Sequence, residues 1–177
     1  MEISIVDAVS ADLERTLDVE RRAFGQPEEA ELVRALLDDP TAAPRRSLLA
    51  IDDGHAVGHV LFTRVTVEGR EVRASILCPL AVVPEAQGRG VGAALIEEGL
   101  SRLADDSVQL LFVLGDPSYY GRFGFAPAGA RGFDAPYPIE ARHADAWQVR
   151  ALRDGALAST GWVRCADALT RPELWRE

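Results

Sequence analysis

Leu80-Ala81-Val82-Val83-Pro84-Glu85-Ala86-Gln87-Gly88-Arg89-Gly90-Val91-Gly92-Ala93 is the stretch on which the reading of this chain turns. An apolar run meets a proline, glycines follow at alternate positions, and an amphipathic segment begins. That order reads as strand, tight turn, helix. Amides at a helix N-terminus are unpaired and the helix dipole is positive there, so the turn suits a phosphate. Glycines remove the β-carbons that would hold an anion away, and they tolerate positive φ. Arg89 adds a side-chain charge. The plainer reading is a turn with no ligand, but each of Gly88, Gly90 and Gly92 carries an entropic cost that such a turn does not require.

The same residues come close to a dinucleotide fingerprint. Gly88-x-Gly90-x-x-Ala93 fits its spacing, and Asp116 closes the next strand where a ribose-binding acid would sit. Two features count against it. Pro84 to Gln87 separate the strand from the glycines, and the strands before the loop read as hairpins, not parallel crossovers.

Outward from the loop, Ile3 to Val6 reads as a first strand. Ser10 is placed to cap a helix whose stripe is Leu13, Leu17, Glu20 and Phe24. Pro27 suits the first turn of a second helix with Leu32, Val33, Leu36 and Leu37 inward. Ser47 to Ile51, Ala56 to Val67 and roughly Glu71 to Val83 form an antiparallel meander, turning at Asp52-Asp53-Gly54 and Glu68-Gly69-Arg70. Pro79 cannot donate to a ladder, so it implies a bulge or an unpaired edge in the last of these strands. Gly92, Ile96, Leu100 and Leu103 form a helical face. Val108 to Leu114 reads as a buried strand, Asp116-Pro117 as a helix start, and Trp147 to Leu152 as a further strand. Phe125 to Tyr137, rich in Pro, Gly and Ala, has no clear assignment. Residues 1–177 read as one domain, with a motif-bearing core over about 1–126 and a C-terminal segment over about 127–177.

Composition sets the outer bounds. The chain has 177 residues, 47% of them hydrophobic, which fits one folded domain with a real core. Its net charge of −9 argues against a nucleic-acid partner. No apolar run is long enough to span a bilayer, and the first ten residues have no basic leader pattern. Cys78 and Cys165 are far apart, with no metal-type spacing. A reducing cytoplasm is the simplest setting, with the protein a monomer or homodimer.

Leu-x-Val-x-Pro-x-x-Gln-x-x-Gly-x-Gly, here Leu80 to Gly92, resembles the GNAT superfamily of acetyl-CoA-dependent N-acetyltransferases. Gln87, Gly90 and Gly92 stand on its Q/R-x-x-G-x-G/A positions. Tyr120-Gly121-Arg122-Phe123-Gly124-Phe125 is similar to the Tyr-x-x-x-Gly-Phe that follows the fifth strand in many members. With Leu114 to Tyr119 it resembles the YhbS-like bacterial subgroup. The resemblance implies an α/β (α+β) fold: a central mixed, mostly antiparallel sheet, splayed at a bulge, with helices on both faces. It implies acetyl-CoA as donor and an amine acceptor. Leu80, Ala81 and Val82 would run beside the pantetheine, and Gln87, Gly88, Arg89, Gly90, Val91, Gly92 and Ala93 would hold the pyrophosphate. A non-catalytic acyl-CoA-binding module on the same fold is the competing reading.

Acyl transfer from a thioester needs a neutral amine, a donor for the oxyanion and a proton for the departing thiolate. The free N–H near Val82 is the expected donor. Tyr120 is the acid that the resemblance implies, with adjacent Tyr119 in reserve; a core aromatic is its plainer role. For the base, many members carry a glutamate on the strand before the loop, and this strand has none beyond Glu71. Glu20, on an otherwise apolar stripe, and His59, the side-chain type that titrates nearest neutral pH, are the candidates. A stripe-edge glutamate and a structural strand histidine are their plainer readings. Cys78 reads as a buried apolar thiol. Trp147, Trp162 and Trp175 read as packing residues that could instead line a substrate pocket.

Overall fold

The computed structural model describes residues 2–176. The expected meander is present. β1 (Ile3–Asp7) leads through α1 (Leu13–Phe24) and α2 (Glu28–Asp38) to β2 (Arg46–Asp52), followed by β3 (His55–Val67) and β4 (Ala74–Val82), all antiparallel neighbours. Asp53 and Gly54 both take positive φ, 49° and 77°, which suits the tight β2–β3 hairpin.

Pro79 does what a proline must do inside a strand. Val60 of β3 faces Leu80, yet Phe62 faces Leu77, so β4 carries one extra residue at Cys78–Pro79. β4 then pairs in parallel with β5 (Leu110–Leu114), reached through α3 (Val91–Asp105), but just over Ala74–Leu77. Beyond Leu77 the two strands part while β4 runs on to Val82. That opening is the splay implied by the resemblance.

After β5 come α4 (Pro117–Tyr120), β6 (Ala126–Pro127), β7 (Phe133–Asp134), β8 (Trp147–Ala151) and β9 (Gly161–Arg164). β8 covers the far edge of β5 antiparallel, β6 adds to β8, and β9 returns to the end of β3 at Thr66 and Val67. The stretch that had no clear assignment thus holds β6, β7 and one short 3-10 turn, Gly129–Arg131.

Each face of the sheet has its own core. On one, Leu17 of α1 and Leu36 of α2 pack with Leu61, Ile76, Leu110 and Phe112. On the other, α3 sets Val91, Leu95 and Ile96 on Val60, Phe62, Leu77, Leu111 and Val113. Phe112 stacks on Trp147 at 5.2 Å, and Trp175 meets Trp147 edge-on at 5.6 Å. Two of the three tryptophans are therefore core residues, with Trp147 Nε1 donating to Phe133 O.

Three expectations need correcting. Ser10 does not cap the first helix: it opens a 3-10 turn, and the N-cap position of α1 falls to Asp12, whose carboxylate makes no bond to the helix backbone and instead accepts the Val9 N–H of that turn at 2.8 Å. Phe24 leaves the apolar stripe at the last turn of α1 and is exposed. β4 begins at Ala74, not near Glu71, because Arg73 N–H turns to the Gln109 side chain. Among the described residues no helix is long and apolar enough to cross a membrane.

The Phe62 ring lies where a β-carbon at Gly99 would stand, so α3 can sit close on the sheet only with glycine there. Gly99→Ala is expected to lower stability by about 1–3 kcal/mol through overpacking. Thermal unfolding would read this as a drop in Tm.

Candidate active site

The glycine loop forms as its sequence requires. After a 3-10 turn at Pro84–Ala86, Gly88 takes φ 75° and Gly90 takes φ 79°, and Gly90 caps α3. Neither angle suits a residue with a β-carbon. The loop opens on a cleft of about 490 Å³, lined by Leu80, Val82, Gln87, Gly88, Gly90, Val91, Gly92 and Ala93. Two of the expected binding residues do not line it. Ala81 is buried on the opposite face, paired with His59, and the Arg89 side chain is exposed outside the cleft.

Backbone alternation fixes where the amides of β4 point. Val83 N–H donates to Val57 O at 3.0 Å, so Ala81 N–H also points to β3. The amides of Leu80 and Val82 therefore point the other way, into the opening left by β5. Gln87 has a role that its motif position did not indicate. Its Nε2 donates to Val82 O at 3.0 Å and ties the loop to the strand.

The tyrosine pair divides its duties. Tyr119 lines the cleft, with its hydroxyl against Gly92, and Arg122 lies 4.7 Å over its ring. Arg122 is a cleft cation that sequence reasoning missed; three places past Tyr119 in a helical turn, it could have been found by that spacing. Tyr120 sits deeper, against Gly115 and Phe125. Burial pushes its phenol well up, and Tyr119 and Cys78 add to this, so it stays protonated. Asp116 caps α4, accepting from both Ser118 N–H and Ser118 Oγ. With that carboxylate engaged and β3–β4 antiparallel, the dinucleotide reading fails.

The two candidate bases prove to be partners. Glu20 on α1 and His59 on β3 are both fully buried, and Glu20 Oε1 lies 2.7 Å from His59 Nδ1. The other ring nitrogen, Nε2, lies 2.8 Å from Ser47 Oγ on β2. Burial raises the Glu20 pKa, and the histidine contact opposes that rise. Cys78, at the bulge, is pushed up to about 12 by burial, then by Glu20 and Glu29. Its thiol is thus a poor nucleophile.

A sheet opened after Leu77, outward-facing amides on β4 and a glycine loop capping α3 define an acetyltransferase of the GNAT type. The chain belongs to that family: residues 4–128 match the acetyltransferase (GNAT) domain. Over 153 residues it is 49% identical to the uncharacterized N-acetyltransferase YjhQ of Escherichia coli strain K12, covering 85% of this chain and 84% of YjhQ. The crystal structure of YhbS, a GNAT family N-acetyltransferase from Escherichia coli in complex with CoA, superposes with TM-score 0.88 at 32% identity, covering 97% of this chain and 93% of YhbS. A GNAT family acetyltransferase from Brucella melitensis in complex with acetyl-CoA gives TM-score 0.75 at 30% identity, covering 94% and 97%.

Burial lifts Glu20 above the ordinary carboxylate value of 4.5. Its contribution to stability is therefore full below that value and is lost as pH rises through the folded-state pKa. Glu20→Gln removes this dependence. The Tm difference, variant minus wild type, is expected to rise from pH 4 to pH 8.

Proposed function

We propose that this chain, as one N-acetyltransferase domain with its core over about residues 1–126, moves an acetyl group from acetyl-CoA to a primary amine by direct attack. The observation that carries the reading is the positive-φ glycine loop capping α3, beside a strand whose outward amides face an opening. Loop and helix amides offer donors to a pyrophosphate, and Arg122 adds a charge from across the cleft. Leu80 and Val82 offer backbone to the pantetheine arm and an N–H to the thioester oxyanion. Such a donor contributes roughly 10²–10³ in rate.

Tyr120 is the proposed acid. Half-buried beyond Tyr119 and kept protonated, it can give its proton to the departing thiolate. Glu20, with His59 behind it, is the proposed base. The acceptor's body has a candidate berth in a cavity of about 610 Å³, lined by Asp134, Tyr137, Trp147 and Trp162 beside the end of β5. Two free cysteines suit a reducing, cytoplasmic setting.

The reading is tested by incubating the protein with acetyl-CoA and a panel of primary amines and measuring free CoA; no release above the amine-free rate would reject it. Gly90→Ala puts a β-carbon where φ is 79°. It is expected to weaken acetyl-CoA binding about tenfold in calorimetry. Tyr120→Phe is expected to lower kcat by about 10²-fold with little change in the KM for acetyl-CoA. An unchanged kcat would remove Tyr120 from the chemistry.

A further inference from the structure

The end of the sheet away from the opening carries a second concentration of positive charge. Two adjoining cavities, of about 400 and 310 Å³, share Pro44, Arg73, Ser75 and Val108 and form one trough at the last turn of α3. Four arginines line it: Arg45, Arg46, Arg64 and Arg73. Its one carboxylate, Asp106, is already held by Arg46 at 2.7 Å, and Arg46 also pairs with Asp7 at 3.0 Å. Arg45 donates to the carbonyls of Leu37 and Asp39. The guanidinium groups of Arg64 and Arg73 have no ion pair and no hydrogen bond among the described residues. The chain has 28 acidic side chains and a net charge of −9, yet none of those acids lines the smaller cavity.

Strand register puts these groups together. Arg64 on β3 faces Ser75 on β4, and Arg73 comes two residues before Ser75. Side chains two apart on a strand share a face. Arg64 therefore follows Phe62, and Ser75 precedes Leu77, on the side covered by α3. α3 ends at Asp105, and the trough lies at that end. Like charges on neighbouring strands repel when nothing between them carries the opposite sign. Ser75 supplies an independent observation. It is 5% exposed and lines both cavities, and its hydroxyl has no hydrogen-bond partner among the described residues. A hydroxyl so placed is costly unless something in the trough bonds it. Thr66, two residues past Arg64, adds a second hydroxyl to the smaller cavity.

We infer that this trough is a second anion site, which takes a phosphate monoester on a small apolar body. Guanidinium forks and hydroxyls match a tetrahedral dianion, and Arg64, Thr66, Arg73 and Ser75 bring both to the smaller cavity. The larger cavity offers Phe62, Leu103 and Val108 to the body of the ligand. Gly90 and the glycine loop stand at the other end of α3, whose 15 residues span about 22 Å at about 1.5 Å each. The site is thus separate from the cleft, and the inference does not depend on the acetyl-transfer reading.

The experiment is calorimetry with phenyl phosphate at constant ionic strength, without and with saturating CoA. The wild type is expected to bind with a Kd of about 0.1–1 mM in both conditions, and to bind inorganic phosphate at least about threefold more weakly. Arg64→Gln combined with Arg73→Gln should weaken phenyl phosphate at least about tenfold, and Ser75→Ala about threefold. Arg21→Gln, which removes an exposed charge from α1, should leave it unchanged. Arg64 and Arg73 are exposed, so their double variant is expected to fold. Excess phenyl phosphate should raise the Tm of the wild type and not that of the double variant. No binding by the wild type would overturn the inference, as would equal affinity for inorganic phosphate or an affinity indifferent to the double variant. Binding abolished by CoA would also overturn it, because the phosphate would then be seated on the glycine loop.

Discussion

The parting of β4 from β5 after Leu77 is the constraint on which the rest of the molecule depends. Up to Leu77 the strands share a parallel ladder. From Cys78 onward β4 carries an extra residue and a proline with no N–H to give. Its outward amides at Leu80 and Val82 then have no strand opposite them. An unpaired backbone donor is costly where water is excluded, so the opening invites an extended ligand to take the missing strand's place. The glycine loop lies at the end of the same strand, so one stretch of chain supplies both the opening and the anion site beside it.

The two faces of the sheet serve different ends. α3 packs on one face, and Gly99 lets it approach Phe62 closely. That close seat fixes where Gly90 and the free amides of the helix stand. α1 and α2 cover the other face, where the sheet holds a fully buried Glu20–His59 pair. Burying a carboxylate is expensive, and breaking such a pair costs more than forming it gains.

Much of the frame was legible from local pattern. Alternating apolar residues and the Asp53-Gly54 turn specify hairpins, Pro79 specifies a break, and the spaced glycines specify a phosphate turn. Each of these is a property of a few neighbouring residues. The division of labour between Tyr119 and Tyr120 was not legible, because adjacent residues on one helical turn are separated by what packs around them. Gln87 read as a ligand contact by its motif position, whereas its amide bonds the strand. The C-terminal segment was opaque because β6, β7 and β9 are too short to show a period.

The sequence by itself determined the order of elements, the bulge, the loop and the family, because backbone conformation and short-range periodicity are written in consecutive residues. The tertiary structure alone decided that Glu20 and His59 are one unit with Ser47 and that Arg122 faces the glycine loop. Those facts depend on distances between residues far apart in the chain. Glu20 and His59 are 39 positions apart in sequence but 2.7 Å apart between Oε1 and Nδ1, and folding is what brings them together.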